Sequence, residues 1–171
     1  VKTMIDDITE FGLSIKEDKI YADCLEKAKQ SELLFKCGCI ATYGGKRIAS
    51  GCNTYKNYSR DMFLENTCTC HAEINVLRKM YHNIKKRRKL NKIMKKTTLY
   101  VSRYSSSVVS NSSAPCVDCL KMIKKMNIKK IVFNLNENYH VMNAKNYYSE
   151  HKTMGRQSLD RVESCNKHAK Q

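Results

Sequence analysis

Acidic side chains are scarce in this sequence. Its 171 residues carry 16 Asp and Glu against 32 Lys and Arg, a formal charge of +16. An excess of that sign favours polyanions as partners, either nucleic acid or nucleotide phosphates. A lysine-rich coding bias, with no dedicated groove, gives the same total. Long apolar runs are also missing. None approaches the ~18 residues of a membrane-spanning helix, and no secretory signal is visible. The expectation is a chain off the membrane, in the cytoplasm or nucleus. A disulfide framework is not expected either, because the nine cysteines are odd in number and lack a secretory context, so reduced thiols are the reading. Tryptophan is absent and proline occurs once, at Pro115, directly before Cys116.

What is present is enough for a core: 42% of the residues are hydrophobic. The length suits a single domain over 1–171, with a core at about 21–134, an N-terminal arm at 1–20 and a C-terminal extension at 135–171.

The most specific pattern is split. His71-Ala72-Glu73 forms one half and Pro115-Cys116-Val117-Asp118-Cys119 the other. Zinc favours tetrahedral nitrogen and sulfur ligation, and a catalytic site leaves one position open for water. His71, Cys116 and Cys119 supply three ligands for one ion per chain. Glu73 is then placed to shuttle protons without ligating. Cys116 and Cys119 share a helical face, and a helix N-terminus favours their thiolates. Ile74, Leu77, Tyr81 and Ile84 continue a helix after His71. A lone C-x-x-C fits a structural zinc half-site or a redox pair equally well. The complete H-x-E…P-C-x-x-C is the signature of zinc nucleobase deaminases.

On these residues the chain resembles the cytidine/deoxycytidylate deaminase superfamily. The resemblance spans about 21–134 and includes Gly51-Cys52-Asn53 and Leu99-Tyr100-Val101-Ser102. It implies an α/β fold: a mixed sheet with helices on both faces, in three layers. It also implies a sugar contact from Asn53, a base-carbonyl contact from the Ala72 N–H, and acceptance of the amino group by the Ala114 carbonyl. The sequence departs from the family at 103–114, a longer serine-rich loop read as polar and mobile.

In chain order, residues 21–34 read as a first helix. Residues 35–43 and 46–52 read as a hairpin joined by Gly44-Gly45. Cys37 and Cys39, with Cys68 and Cys70, make either a second metal site or thiols packed in a core. The connection 53–69 brings Lys56, Tyr58 and Arg60; Lys56 and Arg60 are candidate phosphate contacts, or plain loop residues. A second helix is read from 71 to about 89. It runs into the basic block 85–89 with Lys92, Lys95 and Lys96, which is a polynucleotide contact, a localisation signal or solvated surface. Residues 97–102 form a strand, 116–127 a helix and 128–133 a parallel strand, by a right-handed crossover. Tyr139, Val141, Met142, Tyr147 and Tyr148 form packing helices or cover the pocket. Arg156 and Arg161 are further phosphate candidates, His151 and His168 are non-ligands, and 164–171 is a frayed tail.

The expected activity is hydrolytic deamination of cytosine to uracil, in a nucleotide such as deoxycytidylate or in single-stranded nucleic acid. Deamination of adenosine in tRNA and a non-catalytic, zinc-stabilised nucleic-acid-binding module are the alternatives. Glu73 argues against the last, since a structural zinc site has no use for a proton shuttle. Self-association is left open.

Overall fold

A computed structural model describes residues 13–106, 112–135 and 138–168. Residues 1–12 of the 1–20 arm and the middle of the serine loop, 107–111, lie outside the described residues, while the end of that arm is helical from Ile15. The first helix, α1 (Ile15–Lys29), starts six residues before the position read from hydrophobic spacing. Its start is fixed by a capping box: the Ser14 hydroxyl accepts from the Glu17 N–H, and the Glu17 carboxylate accepts from the Ser14 N–H. Strands β1 (Lys36–Tyr43) and β2 (Lys46–Cys52) follow as an antiparallel hairpin. Gly44 and Gly45 both take positive φ in its turn.

The single helix expected from 71 to 89 is two. Helix α2 (Ala72–Asn83) ends at Ile84, which leaves the helical region, and α3 (Arg87–Met94) begins afresh. Hydrophobic spacing ran through the break because both pieces turn apolar residues toward the same core. Then come β3 (Thr97–Tyr104), α4 (Val117–Lys125) and β4 (Lys130–Leu135). Residues 139–142, expected to pack as helix or to cover the pocket, instead belong to β5 (Asn138–Asn143), and α5 (Met154–His168) occupies most of the supposed frayed tail.

The sheet order is β2-β1-β3-β4-β5. β3 and β4 are parallel, and every other neighbouring pair is antiparallel. Alternation along the strands separates two faces. Ile40, Tyr100 and Val132 face α1, meeting Ile20, Tyr21 and Cys24. Cys39, Ala41, Leu99, Val101, Ile131 and Phe133 face α2, α3 and α4, meeting Val76, Leu77, Leu90 and Ile123. The protein is therefore three-layered α/β/α, as the sequence implied. No described helix is long and apolar enough to cross a membrane.

α1 lies very close to β1 at Gly38. A Cβ there would sit 2.3 Å from the Cys24 carbonyl oxygen and 2.7 Å from the Ala28 nitrogen. Both are backbone atoms that cannot yield, so glycine sets the α1-to-sheet spacing.

Candidate metal centre and active site

The two halves of the split motif meet at two helix starts. His71 is the N-cap of α2 and Cys116 the N-cap of α4; neither side chain caps its helix, leaving both free for other partners. Pro115 directly precedes the N-cap. Ser113 secures this approach. Its hydroxyl donates to the Val101 carbonyl at 2.8 Å and accepts from the Asn134 N–H at 2.8 Å, bracing the segment across β3 and β4. On the other side, Thr54 and Cys70 exchange backbone hydrogen bonds of 3.0 Å, which sets the end of the 53–70 connection beside His71.

The His71 Nδ1 lies 3.2 Å from the Cys119 Sγ and 3.4 Å from the Cys116 Sγ. The three ligand atoms lie within 4.8 Å of one another, the one such group able to hold a metal among the described residues. In a zinc tetrahedron, bonds of ~2.0 and ~2.3 Å place nitrogen and sulfur about 3.5 Å apart. The side chains fit that ion. Cys37, Cys39, Cys68 and Cys70 do not converge on a second one. Cys39 packs in the main core, Cys70 packs with Leu64 and Ile74, and Cys68 is exposed, its thiol donating toward the Gly155 carbonyl at 3.6 Å. All nine cysteines are free thiols.

The electrostatics of the cluster are coupled. The hydrogen bond from Cys119 draws the Cys116 thiol down to about 4, helped by His71 and opposed by burial. That same bond, with burial, pushes Cys119 well up. Burial would lower His71, but its bond to Cys116 and the nearby charges of Glu73, Cys116 and Asp118 carry it up to about 9. Burial raises the Glu73 carboxyl, against the pull of His71. A divalent ion entering such a set displaces protons from it.

These groups open into a cavity of about 760 Å³. Its wall includes Asn53, Glu73 and Ala114 together with the three candidate ligands. Ala72 is buried as the first residue of α2, where its N–H has no intrahelical acceptor. Lys56 and Arg60 are exposed, and the structure brings neither to the cavity wall. The cations that do reach it are Arg103 and Arg156. Arg103 projects from the end of β3 over the Phe35 ring, 4.8 Å from its centre. In sequence it was only the first residue of the serine loop; the β3 strand extending to Tyr104 is what aims it. His151 lines the cavity but stands outside the metal group, as expected. Its carbonyl accepts from the Val117 N–H at 2.9 Å, joining the start of α4 to the segment leading into α5.

Fold and site together define a zinc deaminase architecture. The family model of the cytidine and deoxycytidylate deaminase zinc-binding region matches residues 15–135. The chain belongs to that family, whose cofactor is zinc. Among solved structures, the cytidine deaminase from Burkholderia pseudomallei is similar with a TM-score of 0.54 at 15% identity, over 75% of this chain and 93% of that one. The dCMP deaminase from the cyanophage S-TIM5, in complex with dCMP and dUMP, gives a TM-score of 0.43 at 21% identity, over 70% and 82%. Among curated proteins none matches.

Proposed function

We propose that this protein, as one deaminase domain, hydrolytically converts cytosine to uracil in a (deoxy)cytidine nucleotide such as deoxycytidylate. The observation that carries the reading is a buried carboxylate, Glu73, sharing one cavity with the His71–Cys116–Cys119 group. A structural zinc site needs no such carboxylate and no cavity.

Bound there by His71, Cys116 and Cys119, zinc would supply a water whose pKa is lowered from ~15.7 to about 7. Glu73 would accept a proton from the attacking water as the oxygen adds to C4 of the base. Glu73 then returns protons to the ring nitrogen and the departing amine, so water enters and ammonia leaves in balance. Burial suits it to this exchange, because it brings the two protonation states of the carboxyl closer in energy. The Ala72 N–H is available for the base carbonyl and the Ala114 carbonyl for the amino group. Asn53 retains one lone pair on Oδ1 for a sugar hydroxyl.

Arg103 and Arg156 on the wall favour a substrate with a phosphate close to its sugar. Single-stranded nucleic acid is the second reading, supported by Leu34, Phe35, Met62 and Met154, which line the cavity while remaining exposed and offer surfaces for flanking bases. The test is an ammonia-release screen over cytidine, cytidylate, deoxycytidylate, single-stranded DNA and RNA, and tRNA, with Glu73→Ala as control. Release from deoxycytidylate that disappears in the control supports the proposal. Release from tRNA adenosine alone would replace the base. Tight nucleic-acid binding with no release would favour the non-catalytic module.

A further inference from the structure

The charge excess is concentrated in one part of the chain. Residues 74–135 contain sixteen Lys and Arg and a single acid, Asp118. The fold then gathers many of these cations at the end of the sheet opposite the metal group. Lys95 and Lys96 directly precede β3, which runs from there toward Val101 and Arg103 on the cavity wall. The Lys129 N–H donates to the Thr97 carbonyl at 3.1 Å, and Lys130 opens β4 beside it. The Ala144 N–H donates to the Lys129 carbonyl at 3.0 Å, which brings Lys145 to the same edge. Lys124 and Lys125 close α4 four to five residues before Lys129. Lys46 opens β2 opposite Tyr43, and Tyr43 pairs with Thr97. All of these lysines are exposed. None takes part in an ion pair among the described residues.

α3 leads directly into this edge, ending at Met94 next to Lys95. Arg87, Arg88 and Lys89 fill its first turn, and no acid balances them there. Cations at that end face the positive pole of the helix, and each costs roughly 0.3–1 kcal/mol. The arrangement is a poor choice for stability alone, and a bound polyanion relieves it.

We propose that this end of the sheet is a docking surface for the phosphate backbone of a nucleic-acid duplex. Four strand spacings of ~4.8 Å carry the sheet about 19 Å from β2 to β5. A duplex carries one charge per ~1.7 Å of its axis, both strands counted, so that length of duplex carries about eleven, of which one side faces the protein. The face offers many charges and few rings to stack on: Tyr148, three residues after Lys145, is the exposed ring nearest to it in sequence. Recognition of single strands draws on base stacking, whereas a duplex keeps its bases inside and its phosphates out. The surface is separate from the cavity and holds the protein on a polynucleotide without placing a base in the active site.

The experiment is binding of a short mixed-sequence DNA duplex, followed by fluorescence anisotropy across a salt series. One variant carries Lys95→Glu, Lys96→Glu, Lys129→Glu and Lys130→Glu; a second carries Arg87→Glu and Arg88→Glu. Each log affinity should fall linearly with log salt, at about −0.9 per phosphate neutralised. The fourfold variant should have a slope shallower by up to about 3.6, and the double variant by up to about 1.8. Nucleotide turnover should be unchanged in both, since neither variant touches the cavity. No duplex binding at the lowest salt, or unchanged slopes in both variants, would overturn the proposal. So would tighter binding of the single strand than of the duplex, or binding to anionic lipid vesicles with no preference for the duplex. If the fourfold variant does not fold, the double variant alone decides. Binding is read without turnover, so this result stands apart from that of the deaminase reading.

Discussion

Asn53 holds strand β1 with both ends of its side chain: Oδ1 accepts from the Cys37 N–H at 2.9 Å and Nδ2 donates to the Phe35 carbonyl at 2.6 Å. The sugar contact proposed for Asn53 would thus come from a side chain that first serves as a backbone brace. Asn53→Ala should therefore injure stability as well as binding. Two backbone groups lose partners, at roughly 1–3 kcal/mol in all. For a domain of this size that lowers the melting temperature by about 2–12 °C. A melt unchanged from wild type would show that water replaces the amide on both groups.

Cys116→Ser should remove the metal. Cys116 and Cys119 are buried beside Leu64, Cys70 and Ile74, so losing the ion also loosens a packed cluster. Metal analysis of the wild type should give about one zinc per chain and of the variant much less. Chelation of the wild type should lower its melting temperature, because the ion binds the folded chain preferentially. Glu73→Gln separates binding from chemistry: zinc content should hold while turnover falls about 10²–10⁴-fold. A variant that lost zinc as well would make Glu73 a ligand rather than a proton carrier.

The residues that set this chemistry were legible because their spacing is local. His71 with Glu73, and Cys116 with Cys119, are each fixed by one helical turn. Other features depended on contacts between distant segments. β5 is a short, half-buried edge strand whose asparagines and histidine blur its alternation; its place is set by pairing with β4. Arg103 became a cavity residue only because β3 continues to Tyr104. The α1 start was legible in Ser14-Ile15-Lys16-Glu17, a capping box that hydrophobic spacing alone overlooks. Lys56 and Arg60 lie close in sequence to Asn53 and His71, but both are exposed and off the cavity wall.

Asp61 fastens that connection to α2. Its Oδ2 accepts from Arg78 Nε at 2.8 Å and pairs with His82 Nε2 at 2.7 Å, while Oδ1 takes the Ser59 hydroxyl and the Phe63 N–H. Burial works to raise the carboxyl, but the bonds from His82, Ser59, Phe63 and Arg78 outweigh it and hold it well below the usual range. A depressed folded pKa contributes stability above the unfolded value of about 3.9, and that contribution is lost as pH falls. Asp61→Asn should cost about 2 kcal/mol at neutral pH. The gap between variant and wild type should narrow below about pH 4. Thermal melts across the acid range measure it, and a gap independent of pH would rule out the ion-pair account.

The last prediction concerns which cation meets the substrate phosphate. Arg156 is already engaged: its Nε lies 2.9 Å from an Asp160 oxygen and 4.0 Å from Asp118. Arg103 has no acidic partner among the described ion pairs and rests over Phe35, which holds its planar fork without neutralising it. Arg103 is therefore the better-disposed donor for a phosphate at the cavity mouth. A charge-assisted hydrogen bond contributes about 1.5–3 kcal/mol, so Arg103→Ala should raise KM for deoxycytidylate about 10–150-fold. Deoxycytidine, which lacks the phosphate, should show little change, and kcat should hold for both. Arg156→Ala should have a smaller effect, because phosphate must compete there with two carboxylates. Lys56→Ala and Arg60→Ala should leave both substrates unaffected. Steady-state kinetics on the paired substrates decide the matter. A KM increase with Lys56→Ala or Arg60→Ala but none with Arg103→Ala would return the phosphate contact to the 53–70 connection, and would require that connection to fold over the cavity when substrate binds.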